Sequence, residues 1–217
     1  MTPDTFFDSV FPRLKSLWEA DSAEVYQFDN PRARTVIGNL DLLKGRRILD
    51  IGCNSGIYSL LAARHAEYVC GVDLSEKFIR MAQAAKVWFQ EHLYDVSHVQ
   101  FLQTPLEAIK PAEHSFDTIL ACNVLYHLTD YEIGLIEKLL VSCRSAFFQM
   151  RPRRQMAYER SKETFFFVSR NTRCGGLYTL GHAVEFLQQQ GFHQFVIRGE
   201  ENYWADEPFP IVVATRD

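Results

Sequence analysis

Apolar positions in this chain follow two different periods. From residue 46 onward, short apolar runs alternate with longer stretches in which apolar residues recur every three or four positions. A short run bounded by glycine or polar residues reads as a buried strand, and recurrence at three and four reads as an amphipathic helix. The pattern predicts strands over 46–51, 68–73, 99–103, 116–122 and 143–150, with helices over 57–66, 76–92 and 130–141. In the helix over 76–92, Ser75 is a natural cap, and Phe78, Met81, Ala82, Ala85, Val87 and Trp88 are expected to face inward. Repeated strand–helix–strand units with short links predict an α/β fold: a doubly wound, mostly parallel sheet with helices on both faces.

The ends of the chain extend this picture. Residues 3–20 carry Phe6, Phe7, Val10, Phe11, Leu14, Leu17 and Trp18 at helical spacing, with Pro12 expected to break the helix in two. Its aromatic face either packs on the core or closes over a substrate pocket. A polar connection over 21–30 leads to Pro31, which starts a helix that Gly45 ends, with Val36, Ile37, Leu40 and Leu43 inward. Beyond residue 150 the alternation stops. Residues 151–178 hold a basic cluster and the run Phe165–Phe166–Phe167, then a helix is predicted over 179–190, stopped by Gly191. Two last strands, over 192–198 and 210–215, have only a loop between them and so pair antiparallel. The reading is one domain over 1–217: helices over 1–45, a ligand-binding core over 46–150, and a substrate-side segment with the antiparallel strands over 151–217.

Charge and cysteine content narrow the classes. With 23 basic and 27 acidic residues the net charge is −4, which argues against a dedicated nucleic-acid binder while leaving room for a local basic patch. Five cysteines, none in a Cys-x-x-Cys pair, indicate neither a disulfide framework nor a metal site. No signal-like or membrane-spanning run is present, so a cytoplasmic protein is expected.

The candidate chemistry centres on Arg47 to Leu60, where a strand passes through Gly52-Cys53-Asn54-Ser55-Gly56 into a helix. The two glycines suggest a turn that lets a ligand approach the backbone. Asp73, at the end of the next strand, follows Gly52 by 21 residues, the spacing at which a doubly wound fold offers a carboxylate to the ribose of an adenosine-containing ligand. The glycine spacing is not that of the dinucleotide fingerprint, and no Lys-Ser/Thr follows, so neither a dinucleotide site nor a phosphate-binding P-loop is indicated.

Three segments in order then resemble the class I S-adenosylmethionine-dependent methyltransferases: Leu49 to Gly56 their first motif, Gly71 to Ser75 their second, and Phe116 to Leu128 their fourth. The resemblance covers about residues 31–217 and implies a seven-stranded sheet with an antiparallel last strand. Two positions depart from the family pattern. Asn54 stands where a glycine is usual, and Gln103 and Thr104 stand near the place of an acidic residue that often faces the adenine. The cofactor implied is S-adenosylmethionine, with S-adenosylhomocysteine as product. By resemblance, Gly52, Cys53, Asn54 and Gly56 form the loop beside its methionine part, and Asp50 and Asn123 help hold its amino-acid end. Asp73 takes the ribose hydroxyls, Leu74 and Leu106 sandwich the adenine, and Thr104 and Pro105 shape its edge.

On the acceptor side, His127 is a candidate general base or a structural histidine. Tyr126 is a candidate catalytic or pocket-wall residue. Arg151 and Arg153, from the basic cluster over 144–162, are candidates for binding an acidic substrate group or RNA. The reading is methyl transfer to an oxygen or nitrogen of a small molecule. The alternatives are a tRNA-base methyl or carboxymethyl transferase, since the Cys-Asn-Ser-Gly and Val-Leu-Tyr-His segments are similar to the tRNA wobble-uridine modifying branch, and a cofactor-binding partner protein without catalysis.

Overall fold

The computed structural model describes residues 1–18, 31–110, 115–150, 180–198 and 210–216. Seven strands, β1 (Arg47–Ile51), β2 (Tyr68–Asp73), β3 (Val99–Gln103), β4 (Thr118–Cys122), β5 (Ser145–Gln149), β6 (Gln194–Arg198) and β7 (Ile211–Thr215), form one sheet in the order β3-β2-β1-β4-β5-β7-β6. The first five run parallel, and β7 lies antiparallel between β5 and β6. Strand order reverses on either side of β1 and β4. That switch point is where an open α/β sheet leaves a crevice beyond the carboxyl ends of its strands.

Both faces of the sheet are covered. Among the described residues, the α-helices longer than one turn are α1 (Phe11–Trp18), α2 (Pro31–Ile37), α3 (Ile57–Ala62), α4 (Glu76–His92), α5 (Asp130–Leu140) and α6 (Leu180–Gln189). Residues of α1 to α4 pack with Ile48, Leu120, Phe147 and Val213 on one face. Residues of α5 and α6 pack with Leu49, Ile119, Phe148 and Val212 on the other. Successive strand residues point to opposite faces, so β4 and β5, covered on both sides, are buried at every position and read as unbroken apolar runs rather than alternating ones. Their two hydroxyls meet each other: Thr118 and Ser145 are register partners with oxygens 2.5 Å apart.

The N-terminal aromatic face belongs to the core. Phe6, Phe7, Phe11, Leu14 and Trp18 are buried, and the Trp18 indole donates to the Met81 carbonyl on α4 (3.3 Å). Pro12 does not break the helix as the sequence suggests. A π-turn over Phe6–Val10 precedes it, with the Phe11 N–H donating to the Phe6 carbonyl five residues back. Widening the turn just ahead of a proline relieves the clash between its ring and the preceding carbonyls.

Other expectations shift slightly. The helix from Pro31 stops at Ile37, and a 3-10 turn over Leu40–Leu43 carries the chain to Gly45, whose φ is +69°. In α4, Val87 points outward (57% exposed) while Ile79 and Phe89 are buried. Val87 is two residues from Ala85, about 200° around the helix, and so lies opposite the buried stripe. The polar connection over 21–30 and the basic segment over 151–178, including Phe165 to Phe167, lie outside the described residues. No helix among the described residues is long and apolar enough to cross a membrane.

Candidate cofactor site

The loop after β1 is built from left-handed backbone. Gly52, Asn54 and Gly56 have φ of +68°, +51° and +76°. Asparagine enters this region at lower cost than most residues because its short polar side chain bonds locally. Here the Asn54 side-chain oxygen accepts the Ser55 N–H at 2.6 Å. The Gly52 and Cys53 N–H groups both donate to the Val72 carbonyl at the end of β2 (2.9 and 3.0 Å), tying the loop to the neighbouring strand.

The glycines are explained by packing. A Cβ on Gly56 would lie 2.5 Å from the Phe101 ring and 2.8 Å from the Ala82 methyl, and one on Gly71 would lie 2.7 Å from the same ring. A Cβ on Gly52 would lie 2.6 Å from a Val124 methyl. The space beside Gly56 and Gly71 is therefore filled by a β3 side chain. In sequence, Gly52 and Gly56 read as leaving room for a ligand; packing against Val124 and Phe101 also requires glycine there, and Gly52 lines a cleft at the carboxyl ends of the strands.

Asp73 closes β2 and faces this loop. One carboxylate oxygen accepts the Asn54 N–H (3.0 Å) and the other the Ser75 N–H (2.9 Å). A carboxylate offers about four lone-pair positions, so both oxygens retain acceptor capacity. Asp73 lines a cleft of about 230 Å³ at the carboxyl ends of β1, β2 and β3. Gly52, Leu74, Thr104, Pro105, Leu106 and His127 also line it, with Ile51, Val72, Val124, Leu128 and Glu132. Leu74 is 64% exposed there, while Leu106 is buried in the wall. An apolar side chain held in the open at a cleft suits a flat apolar ligand face.

Of the residues predicted to bind the cofactor, Gly52, Asp73, Leu74, Thr104, Pro105 and Leu106 come together in the cleft wall. Asp50, Cys53, Asn54, Gly56 and Asn123 are not among the residues of that wall. Asp50 is 2% exposed and accepts the Ser59 hydroxyl at 2.5 Å. Burial raises its pKa from 3.8 to about 7; the Ser59 bond opposes this, and the Asp73 charge adds to it. Burial likewise pushes the Cys53 and Cys122 thiols well above the ordinary thiol range, with the Asp50 charge contributing, so both behave as small apolar residues. Asn123 is left-handed (φ +58°), its amide donates to the Gln149 side chain at 2.6 Å, and its own side-chain oxygen is buried with no partner.

His127 reaches the cleft from a 3-10 turn over Leu125–His127, where its N–H donates to the Val124 carbonyl (2.8 Å). The Tyr126 side chain, Arg151 and Arg153 lie outside the described residues. Sequence reasoning did not single out Val124, Leu128 or Glu132. The first two look like ordinary core residues, and Glu132 sits in a Thr129-x-x-Glu132 capping box, a pattern that by itself signals only the start of a helix.

This fold and this cleft define a class, the S-adenosylmethionine-dependent methyltransferases with a Rossmann-like sheet, which the chain resembles through its ordered motifs. Residues 49–139 match the family described as a methyltransferase domain. Among curated relatives, the tRNA U34 carboxymethyltransferase of Pseudoalteromonas translucida is 38% identical over 94 residues, which is 42% of this chain and 27% of that protein. The ubiquinone biosynthesis O-methyltransferase of Paracidovorax citrulli is 33% identical over 104 residues, 46% of this chain and 41% of that protein. The chain thus spans less than half the length of either relative. Magnesium protoporphyrin IX methyltransferase of Synechocystis, crystallised with S-adenosylhomocysteine, superposes with a TM-score of 0.60 at 19% identity, covering 99% of this chain and 97% of that one. That likeness shows the fold.

Proposed function

We propose that this chain is an S-adenosylmethionine-dependent methyltransferase acting on an oxygen or nitrogen of a small-molecule acceptor. The observation that carries the reading is the Asp73 carboxylate at the end of β2, set beside the exposed Leu74 and facing a cleft walled by Leu106. These residues fit an adenosyl group. Apolar walls suit a purine, and a charged acceptor bonds hydroxyls more strongly than a neutral one. The unpartnered buried oxygen of Asn123 is a further acceptor beside the cleft, suited to an ammonium group.

When bound, S-adenosylmethionine supplies a methyl group already activated by a sulfonium leaving group. The protein's own work is then positioning. Asp73 and the leucines fix the adenosyl half, and the left-handed loop is tied to β2 by its Gly52 and Cys53 N–H groups. Holding two reactants in line is worth effective molarities of about 10⁵ M or more. His127, which lines the cleft, is the candidate to take the proton that an acceptor hydroxyl or amine loses. The net charge of −4 favours a small acceptor over a polyanion. A tRNA-base acceptor is the second reading, favoured by the relatives named for tRNA U34 modification.

Calorimetry with S-adenosylhomocysteine tests the cofactor. Wild type should bind, and Asp73→Ala should lose about a hundredfold or more in affinity, the worth of two hydrogen bonds to a charged group at about 1.5–3 kcal/mol each. Wild type that shows no binding overturns the reading. Transfer of labelled methyl to cell extract, separated into RNA, protein and small molecules, tests the acceptor; label in RNA alone favours the second reading.

A further inference from the structure

The turn after β3 borders the purine end of the cleft, yet Gln103, Thr104 and Pro105 offer no charged acceptor to a base. Gln103 spends its amide on the Leu74 carbonyl (3.2 Å). The Thr104 N–H donates to the Asp73 carbonyl (3.1 Å), and Pro105 has no N–H to offer. A second carboxylate does line the same cleft, and it comes from α5: Glu132. One of its oxygens takes both the N–H and the hydroxyl of Thr129 (2.8 Å each). That pins the carboxylate in one orientation, with its second oxygen left as an acceptor. Helix α5 packs against the 3-10 turn Leu106–Ala108, and Leu106, Leu128 and Ile133 share one apolar cluster. Glu132 therefore lines the same cleft as Leu74 and Leu106.

We propose that Glu132 is the base-reading residue of this site: its free carboxylate oxygen accepts a hydrogen bond from the exocyclic amine of an adenine held between Leu74 and Leu106. The inference rests on the adenosyl reading above. It assigns to α5 the charged acceptor that residues 103–105 lack, and it makes the helix cap and the specificity element one residue. Fixing the carboxylate through Thr129 matters, because an acceptor already held in place loses less freedom on binding.

The test uses the intact chain and two ligands, S-adenosylhomocysteine and S-inosylhomocysteine, whose bases present an amine and a carbonyl at the same place. Wild type should prefer the adenosyl ligand by about tenfold or more, the range for one charge-assisted hydrogen bond. Glu132→Gln keeps the capping box, since glutamine also serves at that position. With its oxygen held by Thr129, its amide N–H₂ would face the base, so the preference should collapse or invert while the Tm stays near wild type. Glu132→Ala, which retains the Thr129 cap on the helix, should weaken the adenosyl ligand and leave the inosyl ligand nearly unchanged. If both variants keep the wild-type ratio, or lose both ligands equally, Glu132 does not read the base, although the cofactor reading stands. If wild type binds neither ligand, the cofactor reading fails and this assignment falls with it.

Discussion

Asp50 should make the protein less stable as the pH rises toward neutrality. Its carboxyl is buried behind the cleft with the Ser59 hydroxyl as its hydrogen-bond donor, and burial lifts its pKa from 3.8 to about 7. The folded state therefore binds this proton more tightly than the unfolded chain does. The resulting stabilisation is complete below pH 3.8 and is lost as the pH climbs through about 7. At 1.36 kcal/mol per tenfold change in proton affinity, the gap between 3.8 and about 7 amounts to up to about 4 kcal/mol. Asp50→Asn has the same shape, still accepts the Ser59 hydroxyl, and cannot ionise. Urea denaturation of both proteins at a series of pH values from 4 to 8 isolates the effect, because every other group titrates in both. The variant should match wild type near pH 4 and exceed it by up to about 4 kcal/mol near pH 8. A difference that stays flat across the range would refute the idea that a desolvated carboxylate sits behind this site.

Two further outcomes follow from the same geometry. Gly56→Ala should destabilise the fold by several kcal/mol, about 1–2 from the left-handed backbone and about 1–3 from overpacking against Phe101; adding Phe101→Leu should recover the second part only, as read by the shift in urea midpoint. His127→Asn should lower the turnover number by about a hundredfold or more while leaving the affinity for S-adenosylhomocysteine within a factor of about two; full retained turnover would leave it as a wall residue.

Much of the architecture was legible because period and spacing are local signals. The bounds read from the pattern for β2, α4 and β3 coincide with those of the structure, since polar or glycine residues mark each end. Asp73 and Leu74 were legible as a pair because a strand end at a fixed distance from a glycine turn is itself a sequence feature. What the sequence does not carry is which distant side chain fills a gap. Phe101 lies 45 residues from Gly56, and nothing local to either position says that they touch, so the glycine reads as room for a ligand. Glu132 was hidden for the opposite reason: a local pattern, the capping box, already explained it. Asp50, expected near the amino-acid end of the cofactor, is 2% exposed and bonded to Ser59, a partner nine residues on that the strand pattern does not reveal.

The Phe101 ring wedged between Gly56 and Gly71 has a kinetic consequence. A loop pressed against a β3 side chain, and bonded to β2 by two N–H groups, is held in place by the protein's own contacts. A ligand then meets a finished surface, and little ordering entropy is lost on contact. Association should run at an ordinary encounter rate, so differences in affinity among cofactor analogues should be written almost entirely in how long each one stays.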